Sequence, residues 1–202
     1  MDSIHKIIEL FRKFPGIGPR QAKRFAYFLL SRDDSYNKTL ARLILDLKSE
    51  IKRCGECQRF MPNNGASACS ICTDKNRDGS VLSLVTNDVD MESFERSGVY
   101  NGKYFVFGGN VPILDNQTDS NHRVQKLFDY IKKNKSILKE IILALNATPE
   151  GEHTFEYLLS ALSQFSKSSD IKISRLGRGL STGTELEYAD PDTLKNALKH
   201  RE

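Results

Sequence analysis

Four cysteines lie close together in the chain, as two Cys-x-x-Cys pairs separated by eleven residues: Cys54, Cys57, Cys69 and Cys72. Two residues between cysteines allow a tight turn to aim both sulfurs at one ion, and four thiolates at about 2.3 Å suit tetrahedral Zn²⁺. Because the protein would fill every coordination position, such a site is structural rather than catalytic. The spacing therefore predicts one zinc per chain in a small ribbon, with a redox-active pair or an iron–sulfur cluster as alternatives.

A second motif, Phe14-Pro15-Gly16-Ile17-Gly18-Pro19-Arg20, joins two segments that have helical periodicity. Gly16 and Gly18 tolerate positive φ and carry no side chain, so a phosphate can approach the backbone. The first N–H groups of the next helix would face that phosphate, and three basic residues stand beside it: Arg20, Lys23 and Arg24. The segment resembles the helix-hairpin-helix motif, although a plain turn between helices remains the alternative. We expect these five residues to contact DNA phosphates without sequence preference.

The charge is uneven along the chain. Residues 1–53 hold 12 Lys and Arg against 6 Asp and Glu, whereas the rest holds 18 against 20. A positive field of this kind suits a polyanion, although a solvated helix face explains the charge equally well. No apolar run approaches the roughly 18 residues of a membrane helix, and no signal peptide is visible. The composition therefore predicts a cytoplasmic protein with no membrane partner.

Periodicity divides the chain into a helical first third and an α/β remainder. Three amphipathic helices are predicted in the first third, and the third has a predicted buried face of Leu40, Leu43, Ile44, Leu47 and Ile51. Beyond the cysteines, short β-prone segments alternate with helices, which predicts parallel strands joined by crossovers. The predicted strands are 81–85, 104–107, 140–145 and 171–174, with helices at 89–96, 122–133 and 152–165, a surface loop at 108–121, a short strand at 186–188 and a helix at 191–199.

Four carboxylates follow two of the predicted strands: Asp88 and Asp90, then Glu150 and Glu152. Because the carboxyl ends of parallel strands meet at one sheet edge, these groups could gather there and bind Mg²⁺ for phosphoryl transfer. Their positions at helix starts favour another interpretation, in which they cap the helices, Asp88 capping the first.

Taken in order, these motifs resemble the RecR family of bacterial recombination mediators. The resemblance covers nearly the whole chain, from the hairpin and the cysteines through three further blocks: Gly98-x-Tyr100-x-Gly102-x-Tyr104, Glu150-Gly151-Glu152-x-Thr154, and Arg175-Leu176-x-Arg178-Gly179 with Leu186-Glu187-Tyr188. It implies a ring-shaped homotetramer that encircles DNA and acts with RecO or RecF to load the RecA recombinase on single-stranded DNA. It also implies that Arg20 and Arg24 occupy the family's basic positions and that Glu150 and Glu152 dock a partner.

The resemblance implies four parts within an α/β fold class, which is α+β when the whole chain is counted. These are a helix-hairpin-helix DNA-binding domain at 1–53, a four-cysteine zinc finger at 54–77, a Toprim-like parallel-sheet domain at 78–174 and a C-terminal strand and helix tail at 175–202.

The chain departs from Toprim enzymes at the positions that would bind metal. Thr86 stands where those enzymes place a catalytic Glu, and their Asp-x-Asp is Asn146-Ala147-Thr148. The loop 112–121 also matches the family poorly. We therefore expect a non-catalytic DNA clamp in recombinational repair. The alternatives are an Mg-dependent Toprim nuclease or primase-like enzyme, which would use Glu150, Glu152 and Asp88, and a zinc-ribbon interaction module with no DNA role.

Overall fold

The computed structural model describes residues 2–113, 118–177, 179–180, 183 and 185–199. The chain divides into two compact units, Met1–Lys52 with Pro62–Asn64 and Arg53–Met61 with Gly65–Glu202. The first unit is helical and the second is built around a parallel sheet, which confirms the α/β fold class. None of the described helices is long and apolar enough to cross a membrane.

Three helices dominate the first unit, as predicted: α1 (Ser3–Phe11), α2 (Pro19–Leu30) and α3 (Asp34–Glu50). The carboxylate of Asp2 accepts a backbone N–H from the first turn of α1 and is its N-cap. Ile8 of α1 is buried against Ala22 and Ala26 of α2. The apolar side of α1 therefore packs within its own chain, on a helix whose small residues allow close approach.

The predicted buried face of α3 is wrong for this chain. No residue of this fully described helix is buried, and Leu43, Ile44 and Leu47 are each 57% exposed. The spacing identified an amphipathic helix, but amphipathicity does not determine what covers the apolar side. Ile44 instead lines an apolar groove of about 700 Å³ within the first unit, together with exposed Leu10 and Leu30.

The main sheet of the second unit is parallel and has the strand order β4-β3-β5-β6: β3 (Asp78–Val85), β4 (Gly102–Val106), β5 (Glu140–Ala144) and β6 (Lys172–Arg175). Central strand β3 pairs Ser83 with Tyr104 of β4 and with Ile142 of β5. Helices connect consecutive strands: α5 (Asp88–Ser97), α6 (Thr118–Asn134) and α7 (Pro149–Ser169). The predicted alternation of strands and crossover helices is confirmed.

The smaller elements lie before and after this sheet. Two short strands, β1 (Ile51–Arg53) and β2 (Phe60–Pro62), form a two-stranded sheet, and α4 (Ser70–Thr73) is a single turn. A 3₁₀ turn (Leu186–Tyr188) and α8 (Pro191–Lys199) follow the last strand.

The two faces of the sheet pack against different elements, because successive strand residues point to opposite sides. Leu82 and Phe105 belong to a core shared with α6 and α7. Tyr104 and Val106 belong to a second core that contains Met91 of α5 and the cysteines. The cysteine segment is therefore packed on the sheet rather than extended into solvent.

Three local predictions are wrong. The segment at 186–188 is a 3₁₀ turn rather than a strand, since three residues are too few to show a period. The loop predicted at 108–121 ends early, because α6 begins at Thr118; residues 114–117 lie outside the described residues. Asp88 does not cap α5: Asn87 accepts the Asp90 N–H at 2.9 Å, and Asp88 Oδ1 accepts the Phe60 N–H at 2.7 Å.

Candidate metal centre and hairpin

The four cysteine sulfurs converge in the second unit, and all lie within 4.8 Å of one another. The Sγ atoms of Cys57 and Cys69 are 3.6 Å apart, and those of Cys54 and Cys72 are 3.9 Å apart. A tetrahedral zinc with Zn–S bonds of about 2.3 Å needs sulfurs roughly 3.8 Å apart, so this set fits that ion. Among the residues that the structure describes, no other group of three or more Cys, His, Asp or Glu is placed to hold a metal.

Backbone hydrogen bonds shape the two Cys-x-x-Cys turns. The Cys54 N–H donates to the Arg59 carbonyl at 2.8 Å, and the Gln58 N–H returns to the Cys54 carbonyl at 3.1 Å. Gln58 has a φ of 63°, a left-handed conformation that closes this turn. The Cys69 N–H donates to Cys54 Sγ at 3.3 Å and so ties the second turn to the first.

Proximity changes the acidity of the thiols. The hydrogen bond between Cys57 and Cys69 raises the pKa of Cys57 and lowers the pKa of Cys69 far below its usual range. A thiol whose pKa is lowered loses its proton more readily, and a thiolate is the form of cysteine that binds a metal ion. The acidity of the thiols and the distances between their sulfurs therefore both suit a metal ion.

Strand β4 supports both cysteine pairs. Lys103 Nζ donates to three carbonyl oxygens around the second pair, those of Ile71 at 2.9 Å, Cys72 at 3.0 Å and Asp74 at 2.7 Å. The Val106 N–H donates to the Cys57 carbonyl at 2.8 Å, so the first pair covers the outer edge of β4. Sequence reasoning missed Lys103 because its acceptors lie 29 to 32 residues earlier in the chain.

The hairpin between α1 and α2 leaves its backbone open. Gly16 has a φ of 74°, which favours glycine, whereas Gly18 has an ordinary φ of −80°. A Cβ placed at either glycine would meet no atom within 4 Å. Gly18 is the N-cap of α2 and offers no side-chain hydrogen bond, and Pro19 takes the first helical position. The first N–H groups of α2 therefore remain available to an anion.

The basic residues predicted beside this hairpin all lie on α2 and are exposed: Arg20, Lys23 and Arg24. Within the described part of the chain, none of the three forms an ion pair. The first turn of α2 contains no acidic residue that would reduce the local potential. Three exposed cations thus lie in the first half of α2, near its start, where the helix dipole is also positive.

The four carboxylates predicted as a possible Mg²⁺ site are not brought together as a metal-binding group in the described residues. Asp88 accepts the Phe60 N–H, and Glu152 forms an ion pair with Arg175. Burial raises the pKa of Asp90. All four lie in first helical turns, as the alternative interpretation requires, but the N-caps themselves are Asn87 and Thr148.

The sequence matches three domain families along its length. Residues 4–48 match the family described as RecR, helix-hairpin-helix. Residues 80–177 match the Toprim domain, and residues 179–202 match RecR, C-terminal.

Curated relatives are similar over nearly the full chain. The Recombination protein RecR of Bifidobacterium adolescentis is 38% identical over 199 residues, covering 98% of this chain and 95% of that protein. Proteins of the same name from Chloroherpeton thalassium and Staphylococcus haemolyticus are each 36% identical and cover 98% and 99% of this chain, and 96% of their own length. With these matches over nearly its full length, the chain belongs to the RecR family of recombination proteins.

Proposed function

We propose that this protein is a non-catalytic DNA-binding mediator of recombinational repair. The observation that carries the proposal is the open hairpin, where Arg20, Lys23 and Arg24 are exposed at the uncapped start of α2. Such a surface contacts phosphates, which every DNA sequence presents, and has no means of distinguishing bases. Binding is therefore independent of sequence and falls steeply with salt.

The double variant Arg20→Ala with Arg24→Ala tests the hairpin. We expect weaker binding to all oligonucleotides by similar factors, and a salt slope that falls by roughly 0.7–0.9 for each phosphate that is no longer bound. Lys38→Ala with Lys48→Ala on α3 removes the same charge and is the control. Fluorescence anisotropy with oligonucleotides of several sequences measures both; a loss confined to some sequences, or an equal loss in the control, contradicts the proposal.

We propose that the cysteine cluster holds one structural zinc ion. Four thiolates suit zinc, and the protein supplies every ligand, so the ion contributes folding energy rather than a reaction step. Elemental analysis of the purified protein distinguishes the alternatives. About one zinc per chain supports the proposal, whereas iron with inorganic sulfide overturns it.

The Toprim-like sheet acts in this proposal as a scaffold rather than an active site. Thr86 and Asn146 stand where the resemblance places acidic ligands in Toprim enzymes, and Glu152 is engaged by Arg175. We expect neither DNA nicking nor primer synthesis in the presence of Mg²⁺. Either activity, if abolished by Glu150→Gln, would instead favour an Mg-dependent Toprim nuclease or primase-like enzyme.

Glu150 and Glu152 form the proposed docking point for RecO or RecF, and the complex helps RecA to load on single-stranded DNA in the cytoplasm. Both residues lie in the first turn of α7. Glu150→Gln with Glu152→Gln should weaken capture of the accessory protein, whereas Glu156→Gln, exposed further along the same helix, should not. Equal capture by both variants would contradict this assignment.

A ring-shaped homotetramer is the proposed assembly, and the apolar groove of the first unit supports it, with a second copy of the chain as the occupant. Ile44→Glu, at a residue 57% exposed, should disperse the oligomer and leave the fold intact. Ile8→Asp is a poor test, because Ile8 is buried against α2 and its replacement damages the unit itself. Light scattering gives the mass; a protein that remains monomeric with DNA present contradicts the clamp.

A further inference from the structure

A pocket of about 160 Å³ lies at the carboxyl end of β4, wholly within the second unit. Phe107 and Gly108 line it, together with three cationic side chains: Arg53, Arg123 and Lys126. Ligands of parallel sheets bind at the carboxyl ends of strands, where the loops leave the backbone accessible. The position therefore suits a ligand, and the cationic side chains that line the pocket indicate that this ligand is an anion.

Two of the cations are held in place by neutral oxygens of one residue. Arg53 lies over the Phe60 ring at 4.3 Å and donates to the Gln58 carbonyl at 2.7 Å. Lys126 Nζ donates to Gln58 Oε1 at 3.0 Å. Gln58, in its left-handed turn, thus fixes two positive groups together through its backbone and its side chain.

Arg123 is the third cationic side chain of the pocket. It donates to the Gly109 carbonyl at 3.0 Å and to Ser120 Oγ at 3.2 Å, and lies over the Phe107 ring at 4.8 Å. A Cβ at Gly108 would lie 3.6 Å from Arg123 Cδ and 3.8 Å from Arg53 Nη2. The two arginines therefore approach the same point, which is open because residue 108 has no side chain.

Among the described residues that line the pocket, none balances the charge of Arg53 and Lys126. None of the described residues that line it is acidic, and neither Arg53 nor Lys126 forms an ion pair in the described ranges. Aromatic and backbone walls of low polarity concentrate such a field in the pocket. Guanidinium groups fixed in this way suit a phosphate, whose oxygens accept several N–H bonds at once.

We propose that this pocket binds a backbone phosphate of DNA, as a contact separate from the hairpin. The inference rests on the proposed DNA binding of the protein and adds a second anchor in the other unit. Arg53 and Lys126 supply the donors, and Gln58 accepts a hydrogen bond from each and keeps the two side chains close together. The pocket recognises charge rather than base sequence, because Arg53 and Lys126 act on phosphate oxygens.

The variant Arg53→Gln with Lys126→Gln tests the proposal, with Lys132→Gln and Lys135→Gln, exposed on or near the end of α6, as the control of equal charge. We expect the pocket variant to bind single-stranded DNA more weakly, with a salt slope reduced by roughly 0.7 for each phosphate released, and the control to be unchanged. Because Arg53 also supports a cysteine turn, Lys126→Gln alone, which keeps a donor for Gln58, provides a second comparison.

A footprint on the unaltered protein locates the contact directly. Acetic anhydride modifies accessible lysines, and mass spectrometry compares Lys126 with Lys132 with and without a poly-dT oligonucleotide. Protection of Lys126 alone supports the proposal. Unchanged Lys126 modification, or equal protection by ATP at the same phosphate concentration, overturns it.

The two proposals fail in different ways. If the hairpin variant weakens binding and the pocket variant does not, the pocket inference is wrong and the DNA-binding function stands. If the unaltered protein binds no DNA in low salt, the proposed function falls, and the pocket contact with it.

Discussion

Lys103 and Cys72 are joined by a hydrogen bond of 3.0 Å from the lysine Nζ to the cysteine carbonyl oxygen. One residue belongs to the edge strand of the sheet and the other to the metal centre. Within the described residues the same ammonium forms no ion pair with a carboxylate, and it donates instead to main-chain oxygens around α4. The cysteine cluster is therefore positioned by the sheet as well as by its own turns.

Lys103→Met should weaken metal binding. The methionine keeps an apolar stem but leaves three carbonyl oxygens without their donor, and removal of such supporting bonds lowers metal affinity roughly 10- to 100-fold. Competition with a chromogenic chelator measures the affinity. Lys75→Met, exposed just beyond the cysteines, is the control, and an equal effect there would contradict a specific role for Lys103.

Cys72→Ser should uncouple stability from DNA affinity. Four thiolates that close on one ion bind it together with folding of the segment, so we expect the free energy of unfolding to fall by more than roughly 4 kcal/mol. Affinity for DNA per folded molecule should change far less. Metal content, chemical denaturation and anisotropy test this together. We expect the same result for Cys54→Ser. A protein that remains fully stable without metal would contradict the prediction.

Glu95→Gln should lower stability in a pH-dependent manner. Burial opposes ionisation of Glu95, but hydrogen bonds from Arg77, at 2.5 and 2.9 Å, outweigh it and hold the pKa of Glu95 below its ordinary value of 4.5. The ion pair therefore contributes fully at neutral pH and is lost as pH falls through the lowered pKa. We expect a loss of roughly 1–3 kcal/mol at pH 7.

Denaturation of both proteins from neutral to acid pH measures this difference. The difference in the free energy of unfolding between wild type and Glu95→Gln should stay constant above about pH 6. It should shrink below the ordinary pKa of Glu95. Glu92→Gln, exposed on the same helix, should show no gap. A Glu95→Gln gap that widens on acidification would contradict the assigned sign.

Gly151→Ala should disturb the start of α7. A Cβ there would lie 2.0 Å from the Asn146 carbonyl oxygen, so the backbone itself must move. We expect a loss of roughly 1–3 kcal/mol or more, as for other overpacked sites. Gly177→Ala, where a Cβ meets nothing within 4 Å, should change stability by less than about 0.5 kcal/mol. Thermal denaturation compares them; equal stability of the two variants would contradict the close approach.

The spacing of residues in the sequence predicted most of the features that depend on contacts between neighbouring residues. The two Cys-x-x-Cys pairs predicted the convergence of the four sulfurs, because turn geometry acts over a few residues. The hairpin followed from Gly16 and the basic residues after it for the same reason. The alternating strands were also predictable, since a sheet buried on both faces requires apolar runs.

The errors concern contacts that spacing does not encode. The sequence of α3 shows that the helix has an apolar side. It does not show whether other residues of the same chain cover Ile44. Asn87 rather than Asp88 caps α5, because Asp88 is occupied by the Phe60 N–H, 28 residues away along the chain. The pocket at Gly108 was missed altogether, since Gln58 and Lys126 are 68 residues apart.

The bond from the Val106 N–H to the Cys57 carbonyl has a consequence for synthesis of the chain. A bare outer strand is a template on which other nascent chains can pair and aggregate. The cysteine segment leaves the ribosome before β4 does, so metal capture can close the turn before the edge that it will cover exists. We therefore expect chains synthesised without a bound metal to leave this edge exposed for longer and to aggregate more readily.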